Sequence, residues 1–299
     1  MEPIITVVGF LGAGKTTLLR YLIEKFTNYG WQPFVILNDY ENANMDAQQF
    51  RQQVKLNSIK ALSGSCICCS GIVELRHTVN RIQERKKGVT LIEANGTSDA
   101  CTLMEFLGVG LNNRFLPPIQ ISVVDVKNWQ KRGEHNELER NQIQVSSLIV
   151  LTHLEHIAAK RKEIVIADIK ASNTLAKIIT MDNLDVSLLP ELLPLKNKAQ
   201  KIDHQKAHWA SCSSNLPELP DVSCIYSICK ALPKSILRVK GCTKIDGENN
   251  YTYFERNPDG EVFIRPFNGI PVTGTKLLTI GLGSEPHVLK KAIDSALNQ

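Results

Sequence analysis

The feature that most constrains this chain is the stretch Gly9-Phe-Leu-Gly-Ala-Gly14-Lys15-Thr16-Thr17, which fits G-x-x-x-x-G-K-[ST]. It follows Ile4 to Val8, a short β-branched run suited to a strand buried on both faces. After it, Leu18, Leu19, Leu22, Ile23 and Phe26 recur at helical spacing. Strand, glycine-rich loop and helix in that order make a cradle for phosphate. Glycines let the backbone wrap closely, so successive N–H groups point at anionic oxygens, and the helix N-terminus adds partial positive charge. In such a loop Lys15 reaches the β/γ-phosphates and the Thr16 hydroxyl ligates Mg²⁺. Gly9, Gly12, Ala13, Gly14, Lys15, Thr16 and Thr17 are therefore candidate nucleotide contacts. The bland alternative is a glycine-rich turn with no ligand.

The rest of the chain supplies the strands such a loop needs. Pro33 to Leu37 reads as a second strand, Val89 to Ile92 as a third, Ile119 to Val124 as a fourth, Leu148 to Leu151 as a fifth and Ala176 to Ile179 as a sixth. Helical spacing appears over Ile72 to Ile82 and again near 155–170, while 39–65 is polar and irregular. Strands alternating with helices predict a doubly wound α/β layer with a mainly parallel sheet over residues 1–190. From about Pro190 to Asp221 the pattern dissolves into Pro, Lys, His and Ser, which reads as a linker over 191–221. Residues 222–299 then read as a second, smaller α+β domain. Its strand-like runs are 222–228, 236–240, 251–255 and 261–265, with an Asn257-Pro258-Asp259-Gly260 turn between the last two. Ser284 is the expected cap of a final helix carrying Val288, Leu289, Ala292, Ile293, Ala296 and Leu297 on one face.

Composition narrows the class. The chain has 299 residues, 43% of them hydrophobic, and a net charge of +5. The charge is spread over both halves, unlike the clustered basic stripe of a nucleic-acid binder or a polybasic membrane patch. No apolar run approaches the length of a membrane span, and the apolar start has no basic region before it, so a cytoplasmic chain is expected. Eight cysteines are too few for a disulfide scaffold of this length.

Three of them, Cys66, Cys68 and Cys69, fall within four residues in Gly64-Ser65-Cys66-Ile67-Cys68-Cys69-Ser70, just before a predicted helix. A helix N-terminus lowers thiol pKa, and thiolates suit Zn²⁺, which takes four ligands. Buried thiols or a redox pair are the alternatives. Leu91-Ile92-Glu93-Ala94-Asn95-Gly96 ends the third strand. A carboxylate and a glycine there suit a loop that senses Mg²⁺ and the terminal phosphate at the carboxyl edge of the sheet, although a strand ending in Glu and a turn Gly is commonplace. His204 and His208 lie near Cys212 in the linker and His77 follows the cysteine cluster on the helix; a metal role competes there with simple solvation. Cys101, Cys224, Cys229 and Cys242 are expected in the core.

Taken together, these pieces resemble the CobW-type P-loop GTPases that act as metallochaperones. The resemblance runs through GFLGAGKTTLL at 9–19, Asn38-Asp39-Tyr40 with Asp46, SCICCS at 65–70, IEANG at 92–96 with Asp99, VVD at 123–125, RVKG at 238–241 and IGLGSEPHVLKKAIDSAL at 280–297. It implies a P-loop NTPase sheet followed by a CobW C-terminal-like domain. It also implies a cytoplasmic GTP hydrolase that binds GTP with Mg²⁺, holds Zn²⁺ or Co²⁺ on Cys66, Cys68 and Cys69, and releases the metal to a client metalloenzyme or metal-cofactor pathway on hydrolysis. Lys15 and Glu93 are then the catalytic candidates. Asp39, Gly96, Thr152, His153 and Glu155 join the phosphate loop as nucleotide-side residues, and a homodimer is conceivable. No nucleic-acid or membrane partner is expected.

Three departures from that pattern carry consequences. The guanine-reading Asn/Thr-Lys-x-Asp motif is here Thr152-His153-Leu154-Glu155. Glu155 is one methylene longer than Asp, and His153 replaces a Lys whose stem covers the base, so weakened GTP over ATP selectivity is expected. The first switch region has Glu41-Asn42 where Gly-Glu is usual, which would alter the coupling of metal to nucleotide. Between Ile228 and Pro233 there is no room for the helix the family usually places there. The competing functional readings are a metal buffer or sensor with weak turnover, and a P-loop kinase in which the cysteine cluster is structural.

Overall fold

A computed structural model of the chain describes residues 1–38, 58–62, 71–192, 194, 211–267, 269–271, 274–281 and 283–298. The chain divides into two compact units, the described residues up to 194 falling in the first and those from 211 onward in the second.

In the first unit, β1 (Ile4–Val8) leads through the glycine-rich loop into α1 (Lys15–Asn28). There follow β2 (Gln32–Asn38), β3 (Ile59–Leu62), α2 (Gly71–Arg81), β4 (Gly88–Glu93), α3 (Ala100–Leu107), β5 (Ile119–Asp125), α4 (Asn136–Gln144), β6 (Leu148–Thr152), α5 (Ala159–Ser172) and β7 (Lys177–Thr180). The strands form one parallel seven-stranded sheet in the order β3-β2-β4-β1-β5-β6-β7. Every residue of β1, β4 and β5 is buried, as a sheet covered on both faces requires. Leu75 and Val79 of α2 and Leu103 and Leu107 of α3 pack with Ile4, Ile36 and Ile92 of the sheet in one core. Ile143, Val165 and Ile169 of α4 and α5 pack with Val124, Ile149 and Leu151 in another. The chain order reverses on either side of β1, so the loops after β1, β4, β5 and β6 gather at the carboxyl edge, where open α/β sheets place their ligands. The six strands expected here are all present. β3 and α4 are additions, and they lie in stretches without apolar periodicity or with a short one.

The second unit is an antiparallel five-stranded sheet in the order Val262–Phe267, Tyr251–Arg256, Ile236–Lys244, Lys276–Gly281, Ser211–Asn215. Its elements are β8 (Ser211–Asn215), α6 (Ser223–Ala231), β9 (Ile236–Lys244), β10 (Tyr251–Arg256), β11 (Val262–Phe267), β12 (Lys276–Gly281) and α7 (Pro286–Leu297). Helices α6 and α7 bury Ile225, Ile228, Leu289 and Ile293 against Val239, Phe254 and Leu277. Gly241 is required beneath the Phe254 ring, which a Cβ there would meet at 2.1 Å.

Three expectations are corrected in this unit. The run 222–228, read as a strand for its β-branched residues, is the start of α6. Its buried residues Cys224, Ile225, Ile228 and Cys229 keep helical spacing, and tertiary burial overrides the β propensity. α6 runs to Ala231, so part of the stretch between Ile228 and Pro233 is helical. The buried Arg256 guanidinium, with its pKa lowered by burial, closes the helix by donating to the Cys229 carbonyl at 2.6 Å and the Leu232 carbonyl at 3.1 Å. Secondly, the sheet's edge strand Ser211–Asn215 falls inside the stretch read as linker and pairs with β12. The closing helix starts with Pro286 in its first turn and Glu285 as its N-cap, one residue later than a Ser284 cap would put it. Among the described residues, no helix is long and apolar enough to cross a membrane.

Candidate functional site

The phosphate loop is built by close approach. At Gly9, φ is +152°, and a Cβ would meet the Val123 carbonyl oxygen of β5 at 2.5 Å. At Gly14, the N-cap of α1, φ is +97°, a conformation that glycine alone adopts cheaply. Lys15 is buried, and its ammonium donates to the Gly9 carbonyl at 3.0 Å and the Phe10 carbonyl at 3.2 Å. The charge is thereby held over the loop rather than in solvent. The Ala13 N–H also donates to the Phe10 carbonyl, at 3.1 Å. Thr17 is exposed on the first turn of α1.

Glu93 ends β4 and accepts from the Thr16 hydroxyl at 3.0 Å. Two hard oxygens from separate elements thus meet beside the loop. Beyond Glu93 the chain turns on Asn95, whose side-chain oxygen accepts from the Thr97 N–H and hydroxyl, both at 2.9 Å, and from the Ser98 hydroxyl at 3.0 Å. Gly96 lies directly on the phosphate loop: a Cβ there would meet Leu11 Cδ2 at 2.4 Å and Leu11 N at 2.7 Å. Asp99 caps α3 by accepting from the Thr102 N–H and hydroxyl.

Thr152 and His153 reach the same loop from the end of β6. The Thr152 hydroxyl lies 2.7 Å from the Ala13 carbonyl, and His153 Nε2 lies 3.0 Å from the Gly12 carbonyl. A carbonyl only accepts, so the ring nitrogen donates. His153 holds a φ of +51° to do so. Glu155 is exposed beyond them. Lys15, Thr16, Glu93, Gly96, Thr152 and His153 are thus brought around one loop. Asp39, Cys66, Cys68 and Cys69 lie outside the described residues, as do His204 and His208. Among the described residues no group of three or more His, Cys, Asp or Glu is placed to hold a metal. His77 is exposed on α2, and Cys101, Cys224, Cys229 and Cys242 are buried.

Sequence reasoning missed a second layer under the loop. Arg132 donates from Nη2 to Asp125 at 3.1 Å and from Nε to Glu139 at 3.1 Å, and its guanidinium lies 4.3 Å from the centroid of the Phe10 ring. Burial pushes the Glu139 carboxyl up, against the pull of Arg132. It also pushes His135, 6.1 Å from Phe10, down. The signal was present only in Asp125, at the end of VVD. Helix α4 buries Glu139, Asn141 and Gln142 beside Leu138 and Ile143, and two apolar residues five apart do not repeat at helical spacing.

Residues 3–180 match the family model described as CobW/HypB/UreG, nucleotide-binding domain. The chain belongs to this family. Curated relatives with which the family member shares sequence include the zinc chaperone YjiA of Escherichia coli, 26% identical over 280 residues, 85% of this chain and 86% of that one. The zinc chaperone CobW of Pseudomonas aeruginosa is 24% identical, covering 82% and 78% respectively. A zinc-regulated GTPase metalloprotein activator of Dictyostelium discoideum is 25% identical over 62% of this chain, which spans 47% of its length. Among solved structures, Zn(II)-bound YjiA GTPase from E. coli aligns over 100% of both chains at 20% identity with a TM-score of 0.45.

Proposed function

We propose that this CobW-family chain is a cytoplasmic, metal-coupled GTPase that carries Zn²⁺ or Co²⁺ on Cys66, Cys68 and Cys69 and releases it to a client metalloenzyme or metal-cofactor pathway protein when GTP is hydrolysed. The observation that carries the reading is the convergence of Lys15, the Thr16–Glu93 pair and Gly96 on one glycine-rich loop, in a chain whose relatives are zinc chaperones and a zinc-regulated GTPase. The oxygens of Thr16 and Glu93 fit Mg²⁺, which takes hard oxygen donors. Mg²⁺ there would neutralise charge on the β/γ-phosphates. Lys15 turns its ammonium from the Gly9 and Phe10 carbonyls to the phosphate oxygens, and the N–H groups of Gly12 to Thr17 close around them. Loss of the terminal phosphate frees the Gly96 loop, and that release opens the thiolate site through the switch segment containing Asp39.

Base selection is relaxed. His153 is spent on the Gly12 carbonyl, and Glu155 is longer than the Asp of the usual motif, so selectivity for GTP over ATP is weakened. The test is nucleotide hydrolysis by metal-free protein, GTP beside ATP, with and without one equivalent of Zn²⁺. A change in GTP turnover on adding Zn²⁺ is expected. Zn²⁺ binding with hydrolysis absent or indifferent to the metal would replace this reading by a buffer or sensor on the same scaffold. A strong preference for GTP over ATP would overturn the relaxed selectivity alone.

A further inference from the structure

Helix α4 touches both halves of the candidate site, and it does so with polar side chains. Glu139 accepts from Arg132 at 3.1 Å, and the same guanidinium stacks on Phe10 of the phosphate loop at 4.3 Å. The other carboxylate oxygen accepts from the Gln130 N–H at 2.7 Å. One turn on, Gln142 Nε2 donates to the Gly96 carbonyl at 3.0 Å and the Ser98 carbonyl at 3.3 Å. Asn141 accepts from the Ala100 N–H at 3.1 Å. The helix is itself pinned to β5, because the Gln142 carbonyl accepts from Gln120 Nε2 at 2.6 Å and the Ser122 hydroxyl at 2.5 Å. Gln142 is 1% exposed. Burying an amide costs stability unless it is bonded, and an apolar side chain of that volume would fill the space at no such cost. What the amide adds is a fixed position for the two carbonyls it holds.

Resting on the nucleotide-site reading above, we infer that Gln142 and Arg132 are positioning residues for nucleotide binding, Gln142 from helix α4 itself and Arg132 through Glu139 on the preceding turn. Gln142 sets the Gly96 loop, which faces the terminal phosphate. Arg132, held between Asp125 and Glu139, sets Phe10 and with it the loop that receives every phosphate. Because Gly96 packs on Leu11, movement of the Gly96 loop is felt at the phosphate loop directly and through α4.

The two roles separate in binding. Affinities for a fluorescent GDP and for a fluorescent non-hydrolysable GTP analogue are measured by titration on the full chain, with thermal melting as a check on folding. Gln142→Met, which keeps the volume and removes the donor, is expected to weaken the analogue about tenfold while GDP stays within about twofold. Arg132→Met is expected to weaken both nucleotides by similar factors. Gln142→Glu, which places an acceptor against two carbonyls, should weaken the analogue further than Met does. Should Gln142→Met fail to fold, Gln142→Asn, whose amide is withdrawn by one methylene, is read the same way. Gln142→Met that binds both nucleotides as the unaltered chain does, or that loses both equally, overturns the inference. Unaltered protein that binds neither nucleotide overturns the nucleotide reading itself and this inference with it, before any variant is made.

Discussion

The two edges of the parallel sheet use the same device for different ends. At the amino edge, Glu2 accepts from Arg85 at 2.7 Å and from Arg114 at 2.9 Å. These guanidiniums lie 5.7 Å from the Phe34 ring and 4.2 Å from the Phe115 ring. At the carboxyl edge, Arg132 sits between Asp125 and Glu139 and stacks on Phe10. One cluster is a carboxylate between two guanidiniums, the other a guanidinium between two carboxylates, and the carboxylates of both are buried. The difference is what each aromatic ring belongs to. Phe34 and Phe115 are framework, so the amino-edge cluster only ties the starts of β1, β4 and β5 together. Phe10 is part of the phosphate loop, so the carboxyl-edge cluster sets the shape of a site. Charge burial is thus evidence of function only when the group it restrains is itself placed to act.

The largest effect expected from this contrast is at Lys15. Its removal in Lys15→Ala takes away the one ammonium held inside the loop. Turnover of GTP is expected to fall by about 100-fold or more, as when a single charge-stabilising donor is lost from other active sites. Steady-state hydrolysis measures it. Turnover within about threefold of the unaltered chain would remove the carboxyl edge's claim to the chemistry.

Glu2→Ala is the matching experiment at the other edge. It leaves Arg85 and Arg114 beside each other without the carboxylate that joins them, and breaking a buried pair from one side costs about 3–5 kcal/mol. Denaturant titration should show that loss, while nucleotide affinity of the folded fraction stays unchanged. A Glu2→Ala protein of normal stability would mean that the remaining bonds of Arg85 to the Gln32 and Val89 carbonyls already satisfy the guanidinium. Altered nucleotide affinity would mean that the two edges are coupled through the strands.

How legible this was depends on what each element buries. β1, the loop and α1 could be read because an apolar strand, three glycines and a Leu-rich helix face each announce themselves. The same holds for β4 to β6, whose β-branched runs fill a sheet covered on both sides. Helix α4 could not be read, because three of its five buried residues, Glu139, Asn141 and Gln142, are polar, and Leu138 and Ile143 alone make no helical period. Helix α6 was misread because Ile225 and Ile228 carry β propensity into a helix that Arg256 closes from another strand. The candidate site divides along the same line. Lys15, Thr16, Glu93, Gly96 and Thr152 belong to recognisable motifs, whereas Arg132 and Gln142 act through partners distant in sequence, which no local pattern records.

The smallest expected effect distinguishes how the carboxylates are shared. Glu139 must divide one guanidinium with Asp125. Burial raises its pKa, Asp125 raises it further, and Arg132 with the Gln130 N–H only partly offsets them. A folded-state pKa above the unfolded one means that the folded state binds more protons across the interval between them. Stability from this group is therefore complete below the unfolded value and declines as pH rises through the folded one. Glu255 in the second unit is the opposite case. Burial opposes its ionisation, but Arg238, Lys240 and the Tyr253 hydroxyl outweigh burial and hold the carboxyl below the usual range. Its contribution is present above the unfolded pKa and lost as pH falls through the folded one. Denaturation of Glu139→Gln from about pH 5 to 8 should accordingly show a shallower decline with rising pH than the unaltered chain, and Glu255→Gln should show a smaller loss on the acid side. An unchanged slope in Glu139→Gln would mean that Glu139 does not bind its proton more tightly in the folded state.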